Sequence, residues 1–280
     1  MNTDGLDLTI LGPAFIAGLL VLSTHVPLGQ QVLRRGIIFI DLAIAQIAGV
    51  GVLWAHAMDW EGNALTIQLP AFSAALLGAL ALYLCERRWP EILEAVIGTS
   101  FVLAASAAIL ILANNPHGGE HLKDLLVGQV LWVDLNQLIP VTLLYALILF
   151  VWFGFGASHR SVLFYMLFAL AITVSVQLVG VYLVFASLII PALAVRRFGK
   201  NALFAAYLLG TASYATGLVV SALLDLPSGA VIVWVLALFA LASSLLVARF
   251  TGTTAGVVGE KRCPESSGTA EQDRGNIFPR

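Results

Sequence analysis

The chain has 280 residues, of which 60% are hydrophobic and only 11% are charged, and its mean hydropathy is +0.95. Soluble domains carry roughly 25% charged residues, so the composition excludes an ordinary soluble protein and predicts a polytopic membrane protein. The net charge of −2 does not indicate nucleic-acid binding. Cys85 lies in an apolar segment and Cys263 in a polar tail, so the two cysteines suggest neither a disulfide nor a metal site.

Apolar segments recur along the chain, separated by charged residues or by Pro and Gly. A helix needs about 20 residues to cross a hydrocarbon core of roughly 30 Å. The chain divides into segments of that order near 8–28, 37–57, 69–85, 92–113, 138–157, 162–179, 181–195, 202–223 and 229–248. The uncharged run from Val162 to Val195 is barely long enough for two crossings, and we expect Gly180 to divide it. The sequence therefore predicts an all-α membrane helix bundle of about nine spans over residues 1–250.

The basic residues test this division. In a nine-span arrangement, the basic residues outside the tail lie on one side of the membrane, with the exception of Lys123. These residues are Arg34, Arg35, Arg87, Arg88, Arg160, Arg196, Arg197, Lys200 and Arg249. The positive-inside rule makes that side cytoplasmic, which places the N-terminus outside and the C-terminus in the cytoplasm. An eight-span alternative makes 181–195 a re-entrant or interfacial piece and puts the tail outside; nine spans are preferred.

Two segments fall outside this pattern of spans. The tail, residues 251–280, is small, polar and charged, and it has too little apolar surface to offset the entropy of ordering, so we expect it to be disordered and cytoplasmic. The segment 122–134 is too short to span and places Leu, Val and Trp beside Lys123 and Asp124. That composition is typical of an interfacial or re-entrant helix.

Motifs for catalysis or nucleotide binding are missing from the sequence. It contains no GxxxxGK[ST] phosphate loop, so energy coupling is expected to come from a partner. It also contains no HExxH motif, no paired-cysteine pattern and no Ser/His/Asp constellation. We therefore predict that the chain is not an enzyme and that its polar residues serve a pathway.

Asp41 is the first candidate for such a pathway, because it stands among apolar residues near the start of the second span. An ionisable group in a span is costly and by default suggests a functional site. Two interpretations stay open: a residue that contacts or gates the ion, or an Asp at the rim that pairs with Arg34 or Arg35. Gln46 lies five residues on, about 140° around the helix, and an interhelical hydrogen bond is favoured for it over a role in the path.

The outer loop NNPHGGEHLKD is a second candidate. Imidazole and carboxylate groups suit first-row divalent metals, and within eight residues the loop carries His117, Glu120, His121 and Asp124. Two intervening glycines argue against a regular helix that would align the histidines. An ordinary polar loop is therefore favoured over metal contact.

Five segments, in order, resemble the permease of the metal-importing ABC transporter family, whose members carry zinc, manganese or iron. They are LGQQVLRRGIIFIDLAIAQIAGVG, EAVIGTSFVLAASAAIL, HLKDLLVGQVLWV, VQLVGVYLVFASLIIPALAVRRF and LLGTASYATGLVVSALLDLPSGAVIV. The resemblance implies a fold related to type II ABC importer permeases. It also implies a permease homodimer or pair, a cytoplasmic ABC ATPase, and an extracytoplasmic metal-binding protein that delivers the ion.

The resemblance also bears on individual residues. Asp41 matches the family's Asp, which implies contact with the metal, but the His usual four residues later is replaced by Ala45, beside Gln46. The cytoplasmic segment between Phe150 and Val162 is shorter than is common in the family. Contact with the ATPase is therefore expected from Ser158, His159, Arg160, Arg196 and Arg197.

The predicted function is a permease for a divalent transition metal, in a bacterial-type inner membrane. No cofactor is expected on this chain; the ion is its cargo, and ATP is used by the partner. Zinc is slightly favoured over manganese or iron, although the sequence itself does not choose. The alternatives are a permease for a metal chelate, siderophore or cobalamin and, from another class, a disfavoured intramembrane enzyme.

Overall fold

The computed structural model describes residues 8–58, 64–113, 126–128, 130–156 and 160–252. Within those residues the chain forms nine α-helices and no strand. The first five are α1 (Leu8–Arg35), α2 (Ile40–Ala57), α3 (Ala64–Arg88), α4 (Leu93–Leu112) and α5 (Leu135–Gly154). The last four are α6 (Ser161–Val179), α7 (Val181–Ala194), α8 (Ala202–Leu224) and α9 (Ser228–Gly252). The predicted all-α fold is confirmed.

Each of the nine predicted segments corresponds to one of these helices. Among the described residues, eight helices are long and apolar enough to cross a membrane, whereas α7 has only 14 residues. At 1.5 Å per residue, α7 is about 21 Å long. The break between α6 and α7 falls at Gly180, as expected, where the backbone has φ +80° and ψ 160°. The short segment is thus the one that distinguishes the nine-span from the eight-span interpretation.

Contacts between helices show that the chain reverses direction repeatedly. The hydroxyl of Tyr207 on α8 donates to the carbonyl of Ser23 on α1 at 2.9 Å, and the ring of Tyr214 lies against Gly18, so α1 and α8 are antiparallel. The ends of α1 and α3 meet the start of α6 through Arg35, Glu86 and Ser161. We call this end of the bundle the basic end.

Helix α6 is the central element of the bundle. It packs against α1, α2, α3, α5 and α7, and it is the most buried of the candidate spans. The outward faces of the surrounding helices expose large apolar side chains, such as Leu143, Phe204 and Trp234. In water such surfaces would favour association, but in a bilayer they suit contact with lipid.

Several helix ends differ from the predicted boundaries. Helix α1 continues to Arg35 instead of ending near residue 28, α3 begins at 64 instead of 69, and α5 begins at 135 instead of 138. In each case a proline inside the helix lies close to the predicted end, namely Pro27, Pro70 and Pro140. Helices in membranes tolerate proline because neighbouring groups satisfy the freed backbone atoms.

Contacts divide the chain into two units, Met1–Ser244 and Leu245–Arg280. The predicted tail, 251–280, lies outside the described residues except for 251 and 252, which are helical. The predicted re-entrant segment 122–134 is described only in part. Leu126 and Val127 are helical there, and Val130–Trp132 forms a short 3₁₀ helix.

Candidate functional site

Asp41 lies in the first turn of α2, just after the loop that connects α1 to α2. Only 1% of the residue is exposed, and its neighbours Ile40, Ala43 and Ile44 are fully buried. The free N–H groups of a helix N-terminus favour negative charge. The local structure thus places a carboxyl group inside the bundle at the end of a helix where a carboxylate is stabilised.

The Asp41 side chain has no hydrogen-bond partner among the residues that the structure describes. Neither of its oxygens has a hydrogen-bond partner within the described parts of the chain. Arg35, one of the two arginines considered for pairing, bonds to Glu86 instead, and Arg34 is exposed. Within the described ranges, Asp41 therefore pairs with neither Arg34 nor Arg35. A buried carboxylate without a partner is costly, and a cation beside it would offset that cost.

Gln46 lies on a different face of α2 from Asp41. Its side chain and that of Leu42 line a groove of about 670 Å³ that also contacts α4, α7 and α9, and Asp41 does not line it. The groove is mostly apolar, with Phe101, Phe185 and Trp234 among its walls. Among the described residues, the Gln46 amide makes no hydrogen bond, so the predicted interhelical hydrogen bond is not seen. Gln46 instead presents an amide to the groove.

Ala45 and Gly49 follow Asp41 at intervals of four residues, about 40° and about 80° around the helix from it. They line a small void of about 10 Å³, together with Gln46 and Ala108. A cavity of that size is about large enough for one water molecule. The position where the resembled family carries His is therefore a small gap in this chain.

The outer-loop candidates His117, Glu120, His121 and Asp124 lie outside the described residues, and their metal contact stays a prediction. Within the described ranges, no group of three or more His, Cys, Asp or Glu residues could hold a metal ion. Asp41 is thus not part of a preformed cluster of such residues there.

The residues predicted to contact the ATPase are described in part. Ser158 and His159 lie outside the described residues. Arg160 caps the start of α6, Arg196 and Arg197 lie in the turn after α7, and all three are exposed. Gly29 of α1 packs against Leu188 of α7 six residues before the end of each helix, so the arginines after α7 lie at the basic end. Their contact with an ATPase stays a prediction.

The sequence reasoning missed a polar cluster at the basic end. Arg35 donates from Nη1 to Glu86 Oε1 at 3.1 Å and to Ser161 Oγ at 3.0 Å. Its guanidinium carbon lies 4.5 Å from the centre of the Phe164 ring. One side chain of α1 thereby joins α3 to α6. The only sequence signal was a Glu beside the basic pair Arg87 and Arg88, which does not indicate its partner.

Replacing Arg35 with alanine is expected to lower the free energy of unfolding by about 1–2 kcal/mol, because bonds to a charged group are lost in a partly exposed site. Thermal unfolding of the purified protein in detergent measures this. Arg34→Ala is the matched control, since Arg34 is exposed, and it should change stability by less than about 0.5 kcal/mol. Equal losses in the two variants would contradict the role given to the cluster.

Fold and site together define a polytopic membrane protein with a buried acid in a span and an amide in a groove, an arrangement suited to a transport protein. A family model described as the ABC 3 transport family matches residues 7–158 and 153–247. The chain therefore belongs to the ABC 3 transport family, which confirms the resemblance drawn from five sequence segments.

One of two similar solved structures shows the same fold. A chain of PsaBC from Streptococcus pneumoniae in complex with Fab is similar at 20% identity and a TM-score of 0.69, over 89% of this chain and 98% of that chain. A chain solved in an inward-facing conformation of a metal-chelate type ABC transporter is 15% identical, with a TM-score of 0.49, over 88% of this chain and 84% of that chain. The similarity to the PsaBC chain establishes the architecture and not the ligand.

Proposed function

We propose that this chain is the permease subunit of an ABC importer for a divalent transition metal ion. The observation that carries the proposal is the Asp41 carboxyl group, which is buried and has no hydrogen-bond partner among the described residues, in a chain of the ABC 3 transport family. A divalent cation is attracted by a carboxylate and would replace the missing partner. Asp41 is the proposed metal contact on the path, and the Gln46 amide is a further oxygen donor facing the groove.

The groove supports assembly with a second permease chain. It is open, mostly apolar and bounded by exposed side chains such as Trp234, which is 71% exposed. Two copies that face each other across such grooves would enclose a passage between them. A homodimer is therefore proposed, with an ABC ATPase at the basic end and a metal-binding protein at the opposite end.

The charge distribution supports this orientation. The exposed arginines 34, 160, 196 and 197 lie at or next to the basic end, which the positive-inside rule assigns to the cytoplasm. We place the N-terminus outside, the C-terminus in the cytoplasm and the protein in a bacterial-type inner membrane. The exposed Arg160, Arg196 and Arg197 are proposed to contact the ATPase, together with Ser158 and His159.

The choice of metal is a finer proposal. Carboxylate and amide oxygens are hard donors that suit manganese, whereas the outer-loop histidines His117 and His121 would suit zinc. We keep zinc as the slight favourite, with manganese and iron as competitors. A permease for a metal chelate or cobalamin is the second candidate, favoured by the size of the groove, about 670 Å³.

Uptake by cells that express the complete system separates these candidates. Radiolabelled zinc, manganese and iron are supplied in turn, with excess free ion or excess intact chelate as competitor. Competition by free ion and none by chelate is expected. Competition by the chelate alone would transfer the proposal to a chelate permease, and uptake of none of these ligands would contradict the proposed function.

A further inference from the structure

Three of the segments that carry the family resemblance meet at one place in the structure. Gly128 packs against the backbone of Val179 and Gly180, and a Cβ on Gly180 would lie 2.6 Å from the carbonyl carbon of Val127. A Cβ on Gly229 would lie 2.6 Å from the carbonyl oxygen of Val127. Gly128, Gly180 and Gly229 therefore form a junction between the 126–128 segment, the break between α6 and α7, and the start of α9. We call it the glycine junction.

The glycine junction leaves little freedom to the segment it holds. Gly128 has φ +73° and Gly180 has φ +80°, a conformation that other residues rarely adopt. Any side chain at these two positions would also overlap backbone atoms, which cannot rotate away as a flexible side chain can. The backbone at Val127 and Gly128 is thus fixed against α6, α7 and α9 by shape.

Leu126 precedes this fixed backbone and lies between two spaces, the groove and the small void. Its side chain lines the groove of about 670 Å³ and also the void of about 10 Å³ beside Ala45. Val181 and Gln46 line both spaces as well. These three residues therefore form the wall between the open groove and the void beside Ala45 and Gly49, and Asp41 lines neither space.

We propose that Leu126 is a positioning residue that seals the groove from the void beside Ala45, one helical turn along α2 from Asp41, and that the glycine junction holds Leu126 in that wall. Val181 belongs to α7 and Gln46 to α2, so their places are set by helices. Leu126 belongs to a short connecting segment, and its place depends on the junction. The inference rests on the proposed function, because a seal matters to a permease whose ion must reach Asp41.

Accessibility of a thiol in the void tests the seal. The parent protein carries Ala45→Cys, with Cys85 and Cys263 replaced by alanine, and it is reconstituted alone in lipid vesicles. Ag⁺ is added, and the thiol that remains free is then measured with a fluorescent maleimide in SDS. The parent should react slowly with Ag⁺. Adding Leu126→Ala should raise the reaction rate at least tenfold, because truncation joins the void to the groove.

Matched variants separate the seal from general loosening. Leu110→Ala removes a leucine that is 75% exposed on α4 and should leave the rate unchanged. Gly128→Ala should raise the rate as Leu126→Ala does. Gly36→Ala is its control, because Gly36 has φ +74° but a Cβ there meets nothing within 4 Å. Thermal unfolding is measured for each variant, and if Gly128→Ala does not fold, Leu126→Ala decides the outcome.

Two results would overturn the proposal: a parent that already reacts as fast as an exposed thiol, or a Leu126→Ala variant that reacts no faster than Leu110→Ala. The measurement uses no ATPase, binding protein or transported metal. If the proposed function is wrong, the uptake experiment will show it, and the rates of reaction with Ag⁺ will be unaffected. If the proposed seal is wrong, the rates of reaction with Ag⁺ will show it, and metal uptake will be unaffected.

Discussion

Replacing Asp41 with alanine is expected to reduce metal uptake at least tenfold in cells that carry the complete transporter. The carboxyl group is buried, and neither oxygen has a partner in the described parts of the chain. A cation that passes this point loses water, and the carboxylate compensates for part of that cost. A tenfold loss corresponds to about 1.4 kcal/mol, a small fraction of what one desolvated charge contributes.

The Asp41→Asn variant isolates the charge from the shape. It keeps the size of the side chain, removes the charge and replaces one acceptor oxygen with an NH2 donor, so its uptake should fall nearly as far as that of Asp41→Ala. Glu91→Gln is the matched control, because Glu91 is an exposed acid before α4 and should be neutral. Protein levels in the membrane are measured by immunoblot in each strain. Normal uptake by Asp41→Asn would remove the Asp41 charge from the path.

Replacing Gly29 with alanine is expected to cause a large loss of stability. Helices α1 and α7 cross at Gly29, where an added Cβ would overlap the carbonyl oxygen of Leu188 and lie 2.9 Å from its carbonyl carbon. Both atoms belong to a helix backbone, so relief requires the two helices to move apart. Overpacking of this kind costs about 1–3 kcal/mol, and thermal unfolding in detergent should show a Tm lower by about 5 °C.

Gly12→Ala provides the comparison for Gly29→Ala. Gly12 also lies in α1, but a Cβ there meets nothing within 4 Å. Because alanine favours the helix over glycine by up to about 1 kcal/mol, this variant should be as stable as the parent or slightly more so. A Tm for Gly29→Ala that equals that of Gly12→Ala would show that α1 and α7 do not cross as closely as described.

The existence of the helices could be predicted because lipid leaves a chain few alternatives. Backbone groups in the hydrocarbon core must bond within the chain, so long apolar segments become helices. The ends were harder to predict. Pro27 indicates an end in a soluble helix, yet α1 continues past it to Arg35. The break at Gly180 was predicted correctly because this residue interrupts an uncharged run that is too long for one span and too short for two full spans.

The site could be predicted only where the signal is local. Asp41 is conspicuous because the residues around it are apolar, and its burial follows from that setting. Its lack of an arginine partner could not be foreseen, because Arg35 bonds to Glu86, 51 residues away in the sequence. The groove at Gln46 could not be predicted either, because its other walls come from α4, α7 and α9. Such contacts depend on how the helices pack and not on any one segment.

Transport by the purified components tests the central claim most directly. The permease is reconstituted in lipid vesicles with its ATPase, its metal-binding protein is loaded with zinc, manganese or iron, and ATP is supplied on the ATPase side. Metal is expected to cross to the ATPase side only with ATP, and Asp41→Asn should reduce that flux at least tenfold. If none of the three metals crosses while the ATPase is active, the chain is not a permease for these ions.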